Sequence, residues 1–280
     1  MSQGHAGPND RPHLQQSGPL FVGSLAKGLS ILEIFAGTHR ELSIKEASQV
    51  TGFERSQVQR LLNTLHVVGY LEKDEKTKRY RLAGRVLDLA FNFQNGHPLV
   101  DAARPHLVAL GDSVNAGVTC CLHDDLELIC VHRIPRRSYM ETSGTIEVLN
   151  PSAYFGERQP AYCTAAGRSI LAFLSDDQAR DILERSDRRS ITRLTLTNVD
   201  EILKTFPEAR DLGYARQYGE FLPGELNFAA PVFDRDNTPM ATVVVSIIID
   251  QQDVTNELEE RISTQLLRAT HLISSALQAK

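Results

Sequence analysis

Arg55, Ser56, Gln57, Gln59, Arg60 and Asn63 are side chains of the types that read base edges. Arginine pairs with guanine, glutamine and asparagine with adenine, and serine with either. Among them stand Val58, Leu61, Leu62 and Leu65, whose i, i+3, i+4, i+7 spacing is the buried stripe of a helix. Burying that stripe turns Ser56, Gln59, Arg60 and Asn63 outward and leaves Arg55 and Gln57 at the helix start. The free N–H groups of the first turn suit a phosphate. Lys76, Lys78 and Arg79 follow in a basic segment suited to phosphate contacts, which add affinity and salt dependence but little sequence choice. Lys27 and Ser43 complete the candidate nucleic-acid-contacting set.

A second group is Cys121, His123, Cys130 and His132. On opposed strands, residues i and i+2 share a face, so the four could converge as zinc or redox ligands. The competing reading is an ordinary hairpin with cysteines as small apolar groups. The pairs lack the tight-turn spacing of zinc sites, and no metal or other cofactor is expected. Cys163 stands near a helix start, where a thiol pKa can fall. No histidine is identifiable as its base, and no GxSxG, HExxH, P-loop or GxGxxG motif is present. We therefore expect no enzyme, and take Cys163 as a buried or pocket-lining residue.

The elements that must position the first group are legible. A helix over Ser24–Ala36, with Leu25, Leu29, Leu32 and Phe35 on one face and Ile31 beside them, ends at Gly37. Ser43-Ile-Lys-Glu46 is a capping box, and Gly52 a left-handed stop for the helix it opens. The polar-faced helix runs from Arg55 to Val68 and closes at Gly69. Short strands at Tyr70–Lys73 and Arg79–Leu82 flank a polar tip, Asp74–Lys78. Helix, glycine turn, helix and basic hairpin, in that order, form a winged helix-turn-helix, whose second helix enters the major groove. Helices over Gly84–Asn95 and Leu99–Asn115, parted by Asn95-Gly96-His97-Pro98, lead onward.

The remainder mixes strands and helices. Val118–His123 and Leu126–Arg133 read as a hairpin turning at Asp124-Asp125, with a further strand at Ile146–Leu149. Helices are expected at Thr164–Leu174, Asp176–Arg185 and from Thr197-Asn-Val-Asp200 toward Leu212, with a break at Pro207. Asn227–Asp234 pairs with Met240–Ile249. A last amphipathic helix, Thr255–Gln278, buries Leu258, Ile262, Leu266, Ile273 and Leu277. The fold class is α+β: a disordered tail (1–20), a winged helix-turn-helix domain (21–83), a helical linker (84–105) and a second domain with an antiparallel sheet (106–280).

Composition agrees. At 280 residues the chain is long for a lone DNA reader. Its net charge is −5, yet residues 20–84 carry ten Lys and Arg against seven Asp and Glu, a net of +3 that leaves −8 elsewhere. A basic front and an acidic back fit a DNA-reading module joined to one that avoids DNA. No apolar run approaches the ~20 residues of a membrane span, the first twenty residues lack a signal-peptide core, and the cysteines show no disulfide spacing. A cytoplasmic, reduced protein is expected.

Four stretches resemble the IclR family of bacterial transcriptional regulators: Phe21-Val-Gly-Ser-Leu-Ala-Lys-Gly-Leu-Ser-Ile-Leu32, Thr51-Gly-Phe-Glu-Arg-Ser-Gln-Val-Gln-Arg-Leu-Leu62, Pro160-Ala-Tyr-Cys-Thr-Ala-Ala-Gly-Arg-Ser-Ile-Leu171, and Gly213-Tyr214…Pro223-Gly224…Ala229-Ala-Pro-Val232. The resemblance runs from residue 21 to the end. It implies a GAF-like effector domain behind the winged helix, homodimers or tetramers, an operator in double-stranded DNA, and a small organic or aromatic acid as effector. The family's effector pocket falls here on Ala165 and Ala166, with Ser246 matching a serine. Gln217, Asn227 and Val244 replace an acidic residue, a cysteine and a serine, which argues against glyoxylate-like ligands. Physically, Thr164–Ala166 opens a helix whose N–H groups favour a carboxylate. Asn227 and Ser246 can orient polar groups, and Tyr162 and Cys163 complete the candidate effector set.

Overall fold

The computed structural model describes residues 18–35, 39–135 and 154–279. The expected tail lies almost wholly outside these residues, as do the stop at Gly37 and the strand at Ile146–Leu149. The chain divides into two compact units, Met1–Phe93 and Gln94–Lys280.

The first unit contains α1 (Gly23–Glu33), α2 (Ile44–Thr51), α3 (Arg55–Val67), β1 (Leu71–Lys73) and β2 (Tyr80–Leu82). The expected capping box forms. The Ser43 hydroxyl accepts from Glu46 N–H, and the Glu46 carboxylate accepts from Ser43 N–H at 2.8 Å. Gly52 stops α2 at φ 71°, where an L side chain is strained. Val58 and Leu62 are fully buried, with Leu61 and Leu65 packed beside them. The stripe expected on α1 and just after it is borne out at Ile31, Leu32 and Phe35 and corrected at Leu25 and Leu29. Leu25 and Leu29 are 62% and 52% exposed, and the buried positions are Ile31, Ile34 and Phe35. The helix faces the core with its C-terminal turn. β1 and β2 pair antiparallel, Leu71 opposite Leu82. After them, α4 (Val86–Gly96) buries none of its residues, and the division between the units falls within it.

Among the described residues, the second unit is a six-stranded, wholly antiparallel sheet with helices on both faces. Its elements are α5 (Pro98–Val114), β3 (Gly117–Asp124), β4 (Glu127–Ile134), β5 (Arg158–Pro160), α6 (Ala165–Leu171), α7 (Asp176–Arg185), α8 (Val199–Leu203), α9 (Phe206–Leu212), β6 (Ala215–Tyr218), β7 (Glu225–Phe233), β8 (Pro239–Ile248) and α10 (Asn256–Gln278). The strand order is β5-β4-β3-β8-β7-β6. Period-two alternation sorts β7 between two cores. Leu226, Phe228, Ala230 and Val232 join α5 and α10 on one face, whereas Ala229 packs with α6, α7, α8 and α9 on the other. The helix expected to run from residue 197 toward 212 is broken into α8 and α9, with Pro207 in the first turn of the second.

Gly167 fixes how close α6 comes. A Cβ there would stand 2.0 Å from the Ala161 carbonyl oxygen, so only glycine permits this contact. One residue on, the Arg168 guanidinium makes two 2.6 Å hydrogen bonds to the Glu220 carboxylate, with both residues buried.

Candidate functional site

In the first unit, α3 presents Arg55, Ser56, Gln59, Arg60 and Asn63 on its exposed side, with Gln57 half-buried. The helix is held from behind by Val58 and Leu62, so this polar row is fixed rather than floating. At the hairpin tip, the Asp74 carboxylate accepts from the N–H groups of Lys76 and Thr77 at 2.7 and 2.9 Å, which shapes the turn and leaves Lys76 exposed.

Other members of the candidate set have intramolecular work. Lys78 sits at φ 57° and pairs with Glu75 at 2.7 Å, both exposed. Arg79 ties the hairpin to α2, pairing with Glu41 at 2.9 Å and Glu46 at 2.8 Å. The Ser43 hydroxyl is used by the cap, and the Lys27 ammonium lies 5.6 Å from the centre of the Phe53 ring. Exposed Arg40 and Lys45 stand in the same unit, and no spacing rule singled them out.

In the second unit, a pocket of about 390 Å3 of empty space, partly open to solvent, lies between α6 and the sheet. It is lined by Thr164, Ala165, Ala166, Gln217, Asn227, Val244 and Ser246, all from the expected effector set. Register explains the convergence. Asn227 pairs with Ser246 on β8 and with Gln217 on β6, putting three polar side chains in one row. The Ser246 hydroxyl donates to Asn227 Oδ1 at 2.6 Å. The Gln217 amide is best satisfied with its oxygen toward the N–H groups of Glu220 (2.7 Å) and Phe221 (3.1 Å), which fastens the loop after β6. Thr164 caps α6 by accepting from Gly167 N–H at 3.1 Å. The N–H groups of the next two residues have no intrahelical partner by construction.

Two expected members are not in the lining. The Tyr162 hydroxyl donates to the Arg189 carbonyl at 2.7 Å and accepts from Arg189 N–H at 3.0 Å, so it braces a loop. Cys163 is fully buried among apolar residues, and that burial pushes its thiol up to about 12, the opposite of an activated nucleophile. Residues missed by sequence reasoning are Thr119, Cys121, Gln159, Phe221 and Glu225. Of these Glu225 matters most. It is a buried carboxylate that accepts from Asn227 Nδ2 at 3.0 Å.

Cys121, His123, Cys130 and His132 do not converge. A bulge between Cys120 and Cys121 places His132 opposite Cys120 and Cys130 opposite Cys121. His123 Nε2 is engaged by the Asp125 carbonyl at 2.8 Å, and burial lowers its pKa. Among the described residues no three His, Cys, Asp or Glu side chains gather as a metal site, and no helix is long and apolar enough to cross a membrane.

Comparison with known proteins agrees with both halves of this description. Residues 24–75 match the IclR helix-turn-helix domain, and residues 92–275 match the bacterial transcriptional regulator IclR C-terminal domain. The chain is 29% identical to the Pca regulon regulatory protein of Pseudomonas putida, over 95% of this chain and 87% of that one. An IclR family transcriptional regulator from Brucella abortus shares the fold with a TM-score of 0.78 at 24% identity, covering 98% of this chain and 99% of that one. An IclR homologue from Microbacterium hydrocarbonoxydans, complexed with 4-hydroxybenzoate, has a TM-score of 0.71 at 18% identity, covering 92% of this chain and all of that one. These matches indicate no enzyme family. With a helix-turn-helix in front and an effector-type domain behind, the chain belongs to the IclR family of bacterial transcriptional regulators.

Proposed function

We propose that this regulator senses a small organic acid, aromatic in the simplest case, in the pocket beneath α6, and that occupancy changes how its winged helices engage an operator. The observation that carries the reading is the lining itself: small Ala165 and Ala166 at a helix start, facing a row of Gln217, Asn227 and Ser246. Small side chains let a ligand approach the backbone N–H groups, and the facing amides and hydroxyl set its orientation. Glu225 narrows the class. A buried carboxylate repels a second acidic group placed against it. The lining therefore favours one carboxylate on the α6 side and a hydrogen-bond donor, such as a ring hydroxyl, toward Glu225. The 4-hydroxybenzoate complex of the Microbacterium protein supports this shape of ligand.

The winged helix contributes Arg55, Ser56, Gln57, Gln59, Arg60 and Asn63 toward base edges and Lys76 toward phosphate. The protein works as a homodimer or tetramer, with half-sites about one helical turn or a multiple apart. The apolar side chains left exposed on α1 and α4, including Leu25, Leu29, Leu87 and Leu89, support self-association. Coupling is a population shift between arrangements of the paired winged helices, in a repressor or an activator.

A thermal-shift screen of aliphatic and aromatic acids, with matched amides and amines, tests the effector class. Mono-acids bearing a hydroxyl should raise the melting temperature most. If only neutral or cationic compounds do so, the acid reading fails. Selection of operator DNA with and without the active acids then tests the coupling.

A further inference from the structure

Cys121 and Cys130 are directly opposite each other on β3 and β4. Their pairing is of the non-hydrogen-bonded kind, because Cys130 spends its backbone on the other side. Its N–H donates to the Glu157 carbonyl at 2.9 Å, and its carbonyl accepts from Gly156 N–H at 2.7 Å. In such pairs the Cα atoms stand about 4.5 Å apart, with the side chains close together on one face. Disulfides span Cα separations of roughly 4.4–6.8 Å, a range that takes in pairs of this kind. Both side chains belong to the core beneath α6 rather than the one on the opposite face, which takes Cys120. Cys121 also lines the effector pocket, which gives a small oxidant a route from solvent.

We propose that Cys121 and Cys130 form a reversible cross-strand disulfide when the protein meets a hydroperoxide, placing a redox-sensitive bond in the wall of the pocket. The neighbouring Cys121 thiol lowers the Cys130 thiol and is itself raised, so Cys130 is the attacking thiolate. Its sulfur attacks one oxygen of hydrogen peroxide. The O–O bond breaks, and the departing hydroxide takes up a proton to leave as water. Cys121 sulfur then attacks the sulfenic sulfur of Cys130. The S–S bond forms, the S–O bond breaks and a second water leaves. Two thiols lose two electrons, and the peroxide gains them. Cys120 takes no part. It faces the other core, and burial pushes its thiol up to about 12.

The test uses the purified full-length protein, with and without hydrogen peroxide, alkylated after denaturation and mapped by mass spectrometry. Trypsin leaves Cys120, Cys121 and Cys130 in one peptide, so a second cleavage at Glu127 is needed to separate them. The expected result is the loss of two alkylatable thiols per chain. The two fragments should be joined until dithiothreitol parts them, with Cys120 still alkylated. Cys121→Ser and Cys130→Ser should each abolish the join, and Cys120→Ser should keep it. The proposal is overturned if peroxide leaves Cys121 and Cys130 alkylated as before. Oxygenation without a join, or a join that survives Cys121→Ser and needs Cys120, overturns it equally. Should the serine variants not fold, the wild-type map alone decides.

Discussion

Arg168→Met should be among the most damaging single substitutions in the second unit, although Arg168 is not in the pocket lining. The wild-type guanidinium makes two 2.6 Å bonds to Glu220, and the residues are only 3% and 7% exposed. Solvent therefore screens the pair weakly. Methionine fills similar volume but strands the Glu220 carboxylate, which keeps the Leu196 N–H at 3.0 Å as a donor. Breaking a buried pair from one side costs about 3–5 kcal/mol, a third or more of a typical domain stability of about 5–15 kcal/mol. Removing both charges is a different case. Arg168 Nε is buried with no hydrogen-bond partner among the described residues, so the pair already carries an unmet desolvation cost. Arg168→Met with Glu220→Leu should recover most of the loss, leaving roughly 1 kcal/mol for the Leu196 N–H left without its acceptor. Urea unfolding of wild type, both single variants and the double variant closes the cycle, with far-UV circular dichroism as signal and hydrogen exchange assigning the transition to this unit. A cost below about 1 kcal/mol for Arg168→Met, or single costs that simply add in the double variant, would refute the reasoning.

Further substitutions probe the other parts. Arg60→Ala should cost about 1–3 kcal/mol at one base position of the operator, whereas Lys76→Ala should weaken every sequence and flatten the salt slope by about one; uniform loss for Arg60→Ala across a base-substituted panel would assign it to phosphate. Gly167→Ala should destabilise by at least about 1–3 kcal/mol, because its Cβ meets backbone rather than a movable side chain; an unchanged melting temperature would contradict that packing. Glu46 is held at about 2, chiefly by the Ser43 N–H, then by the Ser43 hydroxyl and Arg79. A depressed folded value means its contribution is complete above the ordinary 4.5 and is lost as pH falls toward about 2. The stability gap between wild type and Glu46→Gln should therefore shrink across that window, and a constant gap would rule the linkage out. Glu225→Gln should admit diacids that the wild type rejects, measured by thermal shift; identical ligand profiles would remove Glu225 from the selection.

What could be read from the residues was mostly local. The capping box at Ser43, the glycine stop at Gly52 and the stripe of Val58 and Leu62 are decided within a few positions of themselves, and the structure has all three. On α1 the reading held at Ile31, Leu32 and Phe35 and failed at Leu25 and Leu29, because several apolar spacings compete in one short helix and tertiary packing added Ile34 instead. β5, Arg-Gln-Pro, and β6, Ala-Arg-Gln-Tyr, carry almost no strand signal and exist because a neighbouring strand pairs with them. In the pocket, Ala165, Ala166 and Ser246 came through the family resemblance. Thr119, Gln159, Phe221 and Glu225 are brought in from distant segments, and no spacing announces them. The bulge at Cys120/Cys121 likewise undid the four-ligand reading, since one extra residue changes which side chains share a face.

The two outermost strands of the large sheet, β5 and β6, are its shortest, with three and four residues against eight to ten for the inner four. An open edge is where a foreign strand can add by backbone hydrogen bonding, and a brief edge offers it few rungs. Among the described residues, then, the sheet is guarded at both ends against runaway strand addition. Copies of this chain that pair as proposed are thereby steered to side-chain surfaces of defined shape, not to an indefinitely extendable ladder.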